Sequence, residues 1–231
     1  MTVSIDPMIV KLVEAATPHV AFDGWGLETF KAAIVDAEVD PAMARSLCPR
    51  GATDLAIAFH KLGDAAMVEA LAKTDLEGIR FRDKVATAVR LRLAAVDDKE
   101  VVRRGSTLFA LPHMAPEGAK LIWGTADAIW TALGDTSDDV NWYTKRATLS
   151  AVYGSVVLYW LGDETLDAQA TDAFIDRRID DVMQFERVKS ATRNNAALKP
   201  LTSLLGRLTA GIKAPNQTMR TDVPGVWRDP E

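Results

Sequence analysis

The chain of 231 residues has one cysteine, Cys48, and three histidines, His19, His60 and His113. A lone cysteine excludes an internal disulfide and a cysteine-based zinc cage, and it fits a reducing compartment. No histidine has a glutamate three residues before it and none forms a metal-spaced pair, so the Glu-x-x-His pattern of di-iron helical bundles is missing. His113, between Pro112 and Met114 in a breaker-rich loop, reads as a surface or capping residue rather than a ligand. The Asp-Asp-x-x-Asp motif by which helical isoprenoid synthases hold magnesium and diphosphate is incomplete in both candidates, Asp138-Asp139-Val140-Asn141-Trp142 and Asp180-Asp181-Val182-Met183-Gln184. The expectation is a protein without catalytic residues, metal or cofactor. Asp176, Asp180 and Asp181 are expected to pair with Arg177, Arg178 or their neighbours on a solvated helix face.

Long apolar runs are also missing. The longest uncharged stretch, 147–162, falls short of the about 20 residues that span a bilayer. The start, Met1-Thr2-Val3-Ser4-Ile5-Asp6, reaches an acid at once and has neither a signal peptide's apolar core nor a transit segment's arginines. These features predict a cytoplasmic protein that meets a membrane only at its surface. Acids are scarce in one place: 187–221 holds seven bases and none, whereas 1–186 carries 19 bases and 29 acids.

β alternation is absent, and helical signals fill the chain. Asp6-Pro7 and Asp40-Pro41 each set a capping aspartate before a proline at the first helical position. Thr74 to Glu77 and Asp97 to Glu100 have capping-box spacing. With breakers at Gly24/Gly26, Pro49/Gly51, Gly78, Pro112/Pro116, Gly134, Gly162 and Pro215, the expectation is an all-α fold of about ten helices: 7–20, 27–37, 41–47, 51–72, 75–96, 98–110, 117–133, 138–161, 165–189 and 197–212.

The first three read as a helix-turn-helix unit. In a DNA-binding regulator its third helix would carry bases and amides into the major groove. Here 41–47 offers only Arg45, and 1–74 holds six bases against ten acids. Phosphate neutralisation dominates non-specific DNA affinity, so no nucleic-acid partner is expected.

The bases Arg80, Arg82, Lys84, Arg90 and Arg92 alternate with Val85, Val89 and Leu93, the pattern of a solvated helix face or of a surface for an acidic partner. Trp123 and Trp130 lie two turns apart on one helix, and Leu149, Val152, Val156 and Trp160 form a stripe widened by Tyr153 and Val157. Core packing, a subunit seam and the wall of an apolar tunnel all satisfy this pattern. The stretch 134–146 crowds three acids, Asn141, Trp142, Tyr143 and two bases into a helix mouth. Asp138 and Asp139 suit its first turn. The aromatics suit either a core or a recognition surface.

In 197–212, Leu198, Leu201, Leu205, Leu208 and Ile212, with Leu204 beside them, form a helical stripe flanked by Lys199, Arg207 and Lys213. A basic amphipathic helix of this kind lies in a bilayer interface; the alternative is docking onto the acidic body. Pro200 is tolerable only at such a helix's start.

The run 134–155 resembles the signature of the ubiquinone-biosynthesis accessory family, the ninth protein of the coenzyme Q series. His19-Val20-Ala21-Phe22-Asp23-Gly24-Trp25, Pro49-Arg50-Gly51-Ala52-Thr53-Asp54-Leu55, Ala126-Asp127-Ala128-Ile129-Trp130 and 174–183 agree with that family in order, over about residues 10 to 190. The resemblance implies a fold like that of TetR-type regulators: a helix-turn-helix-like unit at 1–74, a lipid-binding and dimerisation bundle at 75–190, and a basic amphipathic end at 191–231. It implies a non-catalytic homodimer, peripheral to the inner face of the membrane. This dimer would bind a polyisoprenoid quinone or other lipid and present it to the di-iron demethoxyubiquinone hydroxylase. Leu121, Trp123, Ile129, Trp130, Leu133, Leu149, Val152, Tyr153 and Val156 are then the expected cavity lining. Asp139, Asn141, Trp142, Tyr143 and Arg146 are the expected hydroxylase surface, with Trp142 as anchor. Leu198 to Lys213 would be the membrane contact. A lipid-sensing DNA-binding regulator is the alternative reading.

Overall fold

A computed structural model describes residues 5–194 and 213–215, with side chains placed to Val182 and again over 213–215. Among the described residues the elements are α1 (Pro7–Asp23), α2 (Leu27–Asp36), α3 (Pro41–Leu47), α4 (Ala52–Lys73), α5 (Phe81–Ala94), α6 (Lys99–Phe109), α7 (Ala115–Ala132), α8 (Val140–Leu161), a 3-10 turn (Leu166–Ala168) and α9 (Gln169–Asn194). The fold is all-α. No helix among the described residues is long and apolar enough to cross a membrane. The predicted helix 197–212, with Leu198, Lys199, Leu201, Leu204, Leu205, Arg207, Leu208 and Ile212, lies outside the described residues.

The helix starts follow the capping chemistry. Asp6 accepts from the Met8 amide at 2.7 Å, and Asp40 from those of Ala42 and Met43, both at 2.9 Å. The cap of α6 is Asp98, one residue later than expected, accepting from the Glu100 amide at 2.8 Å. The larger difference is α5, expected from 75 but starting at Phe81. Asp75 does accept from the Glu77 amide at 2.9 Å, but Gly78 then takes φ +69° and turns the chain out of the helix. Similarly, the 3-10 turn with Asp167 at φ +50° delays α9 to Gln169. There, hydrogen bonds from Thr165 and Thr171 hold the Asp163 carboxyl well below the usual carboxylate range.

Two cores share α4. Leu55 and Ala56 pack with Leu12, Val20, Phe30 and Val101, while Met67 and Leu71 pack with Val89, Ile129, Val156 and Ile175. Acids on α9 dock onto bases of α5: Arg90 bonds Asp172 at 2.9 Å and Asp176 at 3.1 Å, and Arg82 pairs with Asp180. The spacing of 172, 176 and 180 puts these acids on one face that reaches across to α5, so Asp176 and Asp180 pair there rather than with Arg177 or Arg178, while their side chains stay about half exposed; Asp181 pairs with Arg178 at 2.7 Å, as expected. Lys99 donates to the carbonyls of Trp160 and Asp163, and Arg103 to that of Leu161, which caps the C-terminus of α8.

Candidate ligand-binding cavity and aromatic surface

Where α4 to α8 diverge, small residues leave space. Ala56, Gly105, Gly118, Ala119 and Gly154 face a cavity of about 410 Å³, walled further by Trp25, Phe59, Leu93, Val96, Val101, Val102, Phe109, Leu121, Ile122, Tyr153, Val157 and Trp160. Leu158, 69% exposed, and the exposed Ala110 mark its mouth. The volume is that of a small-molecule site, and the wall is mostly apolar.

Polar groups gather on one side. Arg92, 4% exposed, donates to Asp64 at 2.7 Å and to the His60 carbonyl at 3.0 Å, and its guanidinium stands 6.0 Å from the centre of the Tyr153 ring. Gly63 makes room for it: a Cβ there would lie 2.6 Å from an Arg92 nitrogen. Thr125 Oγ1 donates to Asp64 at 2.8 Å and lies 2.9 Å from His60 Nε2. Burial, reinforced by Arg92, outweighs Asp64 and lowers the His60 pKa to about 4, so the ring is neutral at pH 7. Burial also raises the Tyr153 pKa, which keeps it a phenol.

The residues expected to line one cavity are distributed. Leu121 and Tyr153 line the large one. Trp130, Leu149 and Val152 line a smaller one of about 150 Å³, and Leu133 joins Trp130 on a shallow depression beside Gly134. Ile129 and Val156 are wholly buried in the second core, and Trp123 packs on Trp142 with ring centres 5.9 Å apart. Sequence reasoning missed His60, Phe59, Arg92 and the α6 wall. The available signal was His60-x-x-Gly63-Asp64, a polar pair straddling a glycine in an otherwise apolar helix.

At the mouth of α8, Asp139 caps the helix through the Asn141 amide and also accepts from its side chain, both at 2.8 Å. Trp142 is half-buried, edge-on to Tyr143 at 4.8 Å and 4.0 Å above the Arg146 guanidinium. Arg146 itself is 1% exposed, donating to Asp127 at 2.5 Å, Asp135 at 3.0 Å and the Trp142 carbonyl at 3.2 Å. It therefore holds Trp142 from below. Asp135, also buried, accepts from Lys145 at 2.7 Å; burial raises its pKa, but hydrogen bonds from Lys145, Ser137 and Arg146 outweigh this and set it at about 2. Tyr143 is 36% exposed and donates to the Lys213 carbonyl at 3.2 Å, while the Ala214 amide donates to the Asp138 carbonyl at 2.9 Å. The exposed Lys213 and its neighbours thus lie on the same mouth.

A TetR transcriptional regulator from Nitrosomonas europaea shares this fold, with a TM-score of 0.62 at 17% identity over 76% of this chain and 97% of that one. Residues 115–186, most of α7 to α9, match the COQ9 family model. A probable ubiquinone biosynthesis protein coq9 of Dictyostelium discoideum, described as mitochondrial, is 30% identical over 78% of this chain and 61% of its own. The ubiquinone biosynthesis protein COQ9 of Drosophila melanogaster is 31% identical over 81% and 59%. The chain thus spans about three-fifths of the length of these two relatives. A COQ9 of Homo sapiens is 33% identical over 103 residues. With the signature region in α7 to α9 and relatives alike over about four-fifths of it, the chain belongs to the COQ9 family.

Proposed function

We propose that the chain is a non-catalytic, homodimeric accessory protein of ubiquinone biosynthesis. In this reading it is peripheral to the membrane, binds a polyisoprenoid quinone intermediate and presents it to the di-iron demethoxyubiquinone hydroxylase. The observation that carries the reading is the apolar cavity between α4 and α8. It accommodates a head group and the first isoprene units, with the rest of a long tail leaving past Leu158. The names of the relatives place them in ubiquinone biosynthesis, which supports the pathway. The leucine stripe with its acid-free flanks supports the membrane side. The TetR-like fold does not bring DNA binding with it, because α3 offers one base and 1–74 is acidic.

Gly154 tests the cavity. A Cβ there would meet only Ile122 Cδ1, at 3.8 Å, so a leucine would project into open space. Gly154→Leu is expected to keep or raise thermal stability, since glycine costs about 1 kcal/mol in a helix. Native mass spectrometry should show co-purifying lipid reduced at least about tenfold, the weight of a few displaced methylenes. A full lipid load on the variant would remove the cavity from the proposal.

Tyr143 tests the partner surface. Its half-exposed ring makes one hydrogen bond and one edge contact with Trp142, so Tyr143→Ala should cost no more than about 1–2 kcal/mol of stability while weakening pull-down of the hydroxylase about tenfold or more, as for an interface anchor. Trp142→Ala is the poorer test, because it also strips the contacts to Arg146 and Trp123. Undiminished pull-down by Tyr143→Ala would return these aromatics to a purely structural role.

A further inference from the structure

The apolar wall of the large cavity does not stop at its mouth. Val157 and Leu158 line the cavity from the last turns of α8, yet Leu158 is 69% exposed. Ala110 lines it from the end of α6, and Leu111, next in the chain, is 43% exposed. Tyr159 and, past the turn at Gly162, Leu166 add exposed apolar area at the end of α8. Lys99 and Arg103 hold α6 against that end through the carbonyls of Trp160, Leu161 and Asp163. The charges there nearly balance, since Arg103 and Arg104 pair with Glu100, and Glu164 and Asp167 flank Leu166 in sequence. A contact through this patch is therefore apolar rather than electrostatic.

Exposed apolar side chains grouped at one place mark a membrane or protein contact, and the cavity behind them decides which. A methylene favours hydrocarbon over water about fourfold, so a tail of four isoprene units favours a bilayer by more than about a billionfold. Such a ligand does not cross water to reach a mouth. We propose that the rim formed by Leu111, Leu158, Tyr159 and Leu166 dips into a bilayer, so that the cavity fills directly from the acyl chains. The inference rests on the lipid-carrier reading and adds the face by which the body meets the membrane. The basic leucine stripe read in the sequence at 197–212 seeks anionic headgroups, whereas the rim needs only hydrocarbon. Recruitment and filling are thus separate contacts, and one is removable without the other.

Leu111→Glu combined with Leu166→Glu tests this, since both side chains are exposed and neither lines the cavity. The full chain and this variant, stripped of lipid, meet vesicles of phosphatidylcholine and about a third phosphatidylglycerol that carry a geranylgeranyl benzoquinone. Co-sedimentation reports recruitment, and mass spectrometry of quinone on the re-isolated protein reports filling. The variant is expected to be recruited within about twofold of the wild type but to fill at least about tenfold more slowly, because each new carboxylate must leave water. Given the same quinone in detergent micelles, it should load as the wild type does. Filling from vesicles at the wild-type rate overturns the rim inference and leaves the carrier reading standing. No loading of either protein from micelles or vesicles removes both. A lipid-free variant that sediments as a smaller species than the wild type would assign the patch to a seam between two copies and overturn the bilayer contact. A second measurement does not depend on the charged variant: an environment-sensitive dye on Leu111→Cys should be quenched by brominated acyl chains, and one on the exposed Lys31→Cys in α2 should not. Cys48 stays unlabelled, being buried with its thiol pushed up to about 11. Equal quenching at the two positions, or none at Leu111→Cys, overturns the proposal.

Discussion

Arg146→Ala is expected to cost about 3–5 kcal/mol, the largest loss from any single side chain at the mouth of α8. The guanidinium is 1% exposed and meets Asp135, whose side chain is 3% exposed, at 3.0 Å. Removing it strands a buried carboxylate and withdraws the support beneath Trp142. Urea denaturation followed by far-UV circular dichroism measures the loss. The pH profile separates this mechanism from simple loss of packing. In the wild type, the Asp135 pKa is lowered from 3.8 to about 2. The carboxylate pair therefore contributes stability above pH 4, and that contribution is lost as pH falls towards 2. In Arg146→Ala the Asp135 pKa should rise towards or above 3.8, so the stability lost between pH 4 and pH 2 should shrink. A variant that loses under about 1 kcal/mol would mean that the buried pair is replaced by water at little cost.

Gly63→Ala is expected to be nearly as damaging, although alanine is the better helix former by about 1 kcal/mol. The added methyl would sit 2.6 Å from one Arg92 nitrogen and 2.7 Å from its central carbon. The guanidinium cannot swing aside cheaply, because Asp64 and the His60 carbonyl hold it and α4 and α5 close over it. Either α4 and α5 part or the pair with Asp64 breaks, at about 3 kcal/mol. A double-mutant cycle gives the sign: in an Arg92→Leu background the same alanine should cost less than about 1 kcal/mol or stabilise. An equal cost in both backgrounds would show that the methyl meets something other than Arg92.

Most of the helices were legible because their starts depend on local chemistry. Asp6 and Asp40 accept amide protons from their own first turns, as the sequence spacing reports, and Asp98 does so one residue beyond the cap that the spacing of Asp97 and Glu100 indicates. Thr74 to Glu77 carries the same spacing, but its Asp75–Glu77 contact closes a turn, since Gly78 three residues later adopts a conformation no helix continues through. The site was less legible because its residues are set by what lies opposite them. Arg92 alternates with Leu93 and reads as a solvated base, yet Asp64 on α4 and the gap above Gly63 draw it into the interior. The cavity was sought among the large apolar side chains of α7 and α8, where Ile129 and Val156 fill space rather than line it. Empty volume comes instead from Ala56, Gly105, Ala119 and Gly154, residues that leave no mark in an apolar count.

The two backbone anchors near residue 214 have a geometric consequence. Lys213 and Ala214 are held beside Tyr143 and Asp138 by these two bonds. Whatever lifts residues 213–215 from the start of α8 therefore also takes away the one hydrogen bond of the Tyr143 hydroxyl, so this piece of backbone and the aromatic mouth are coupled.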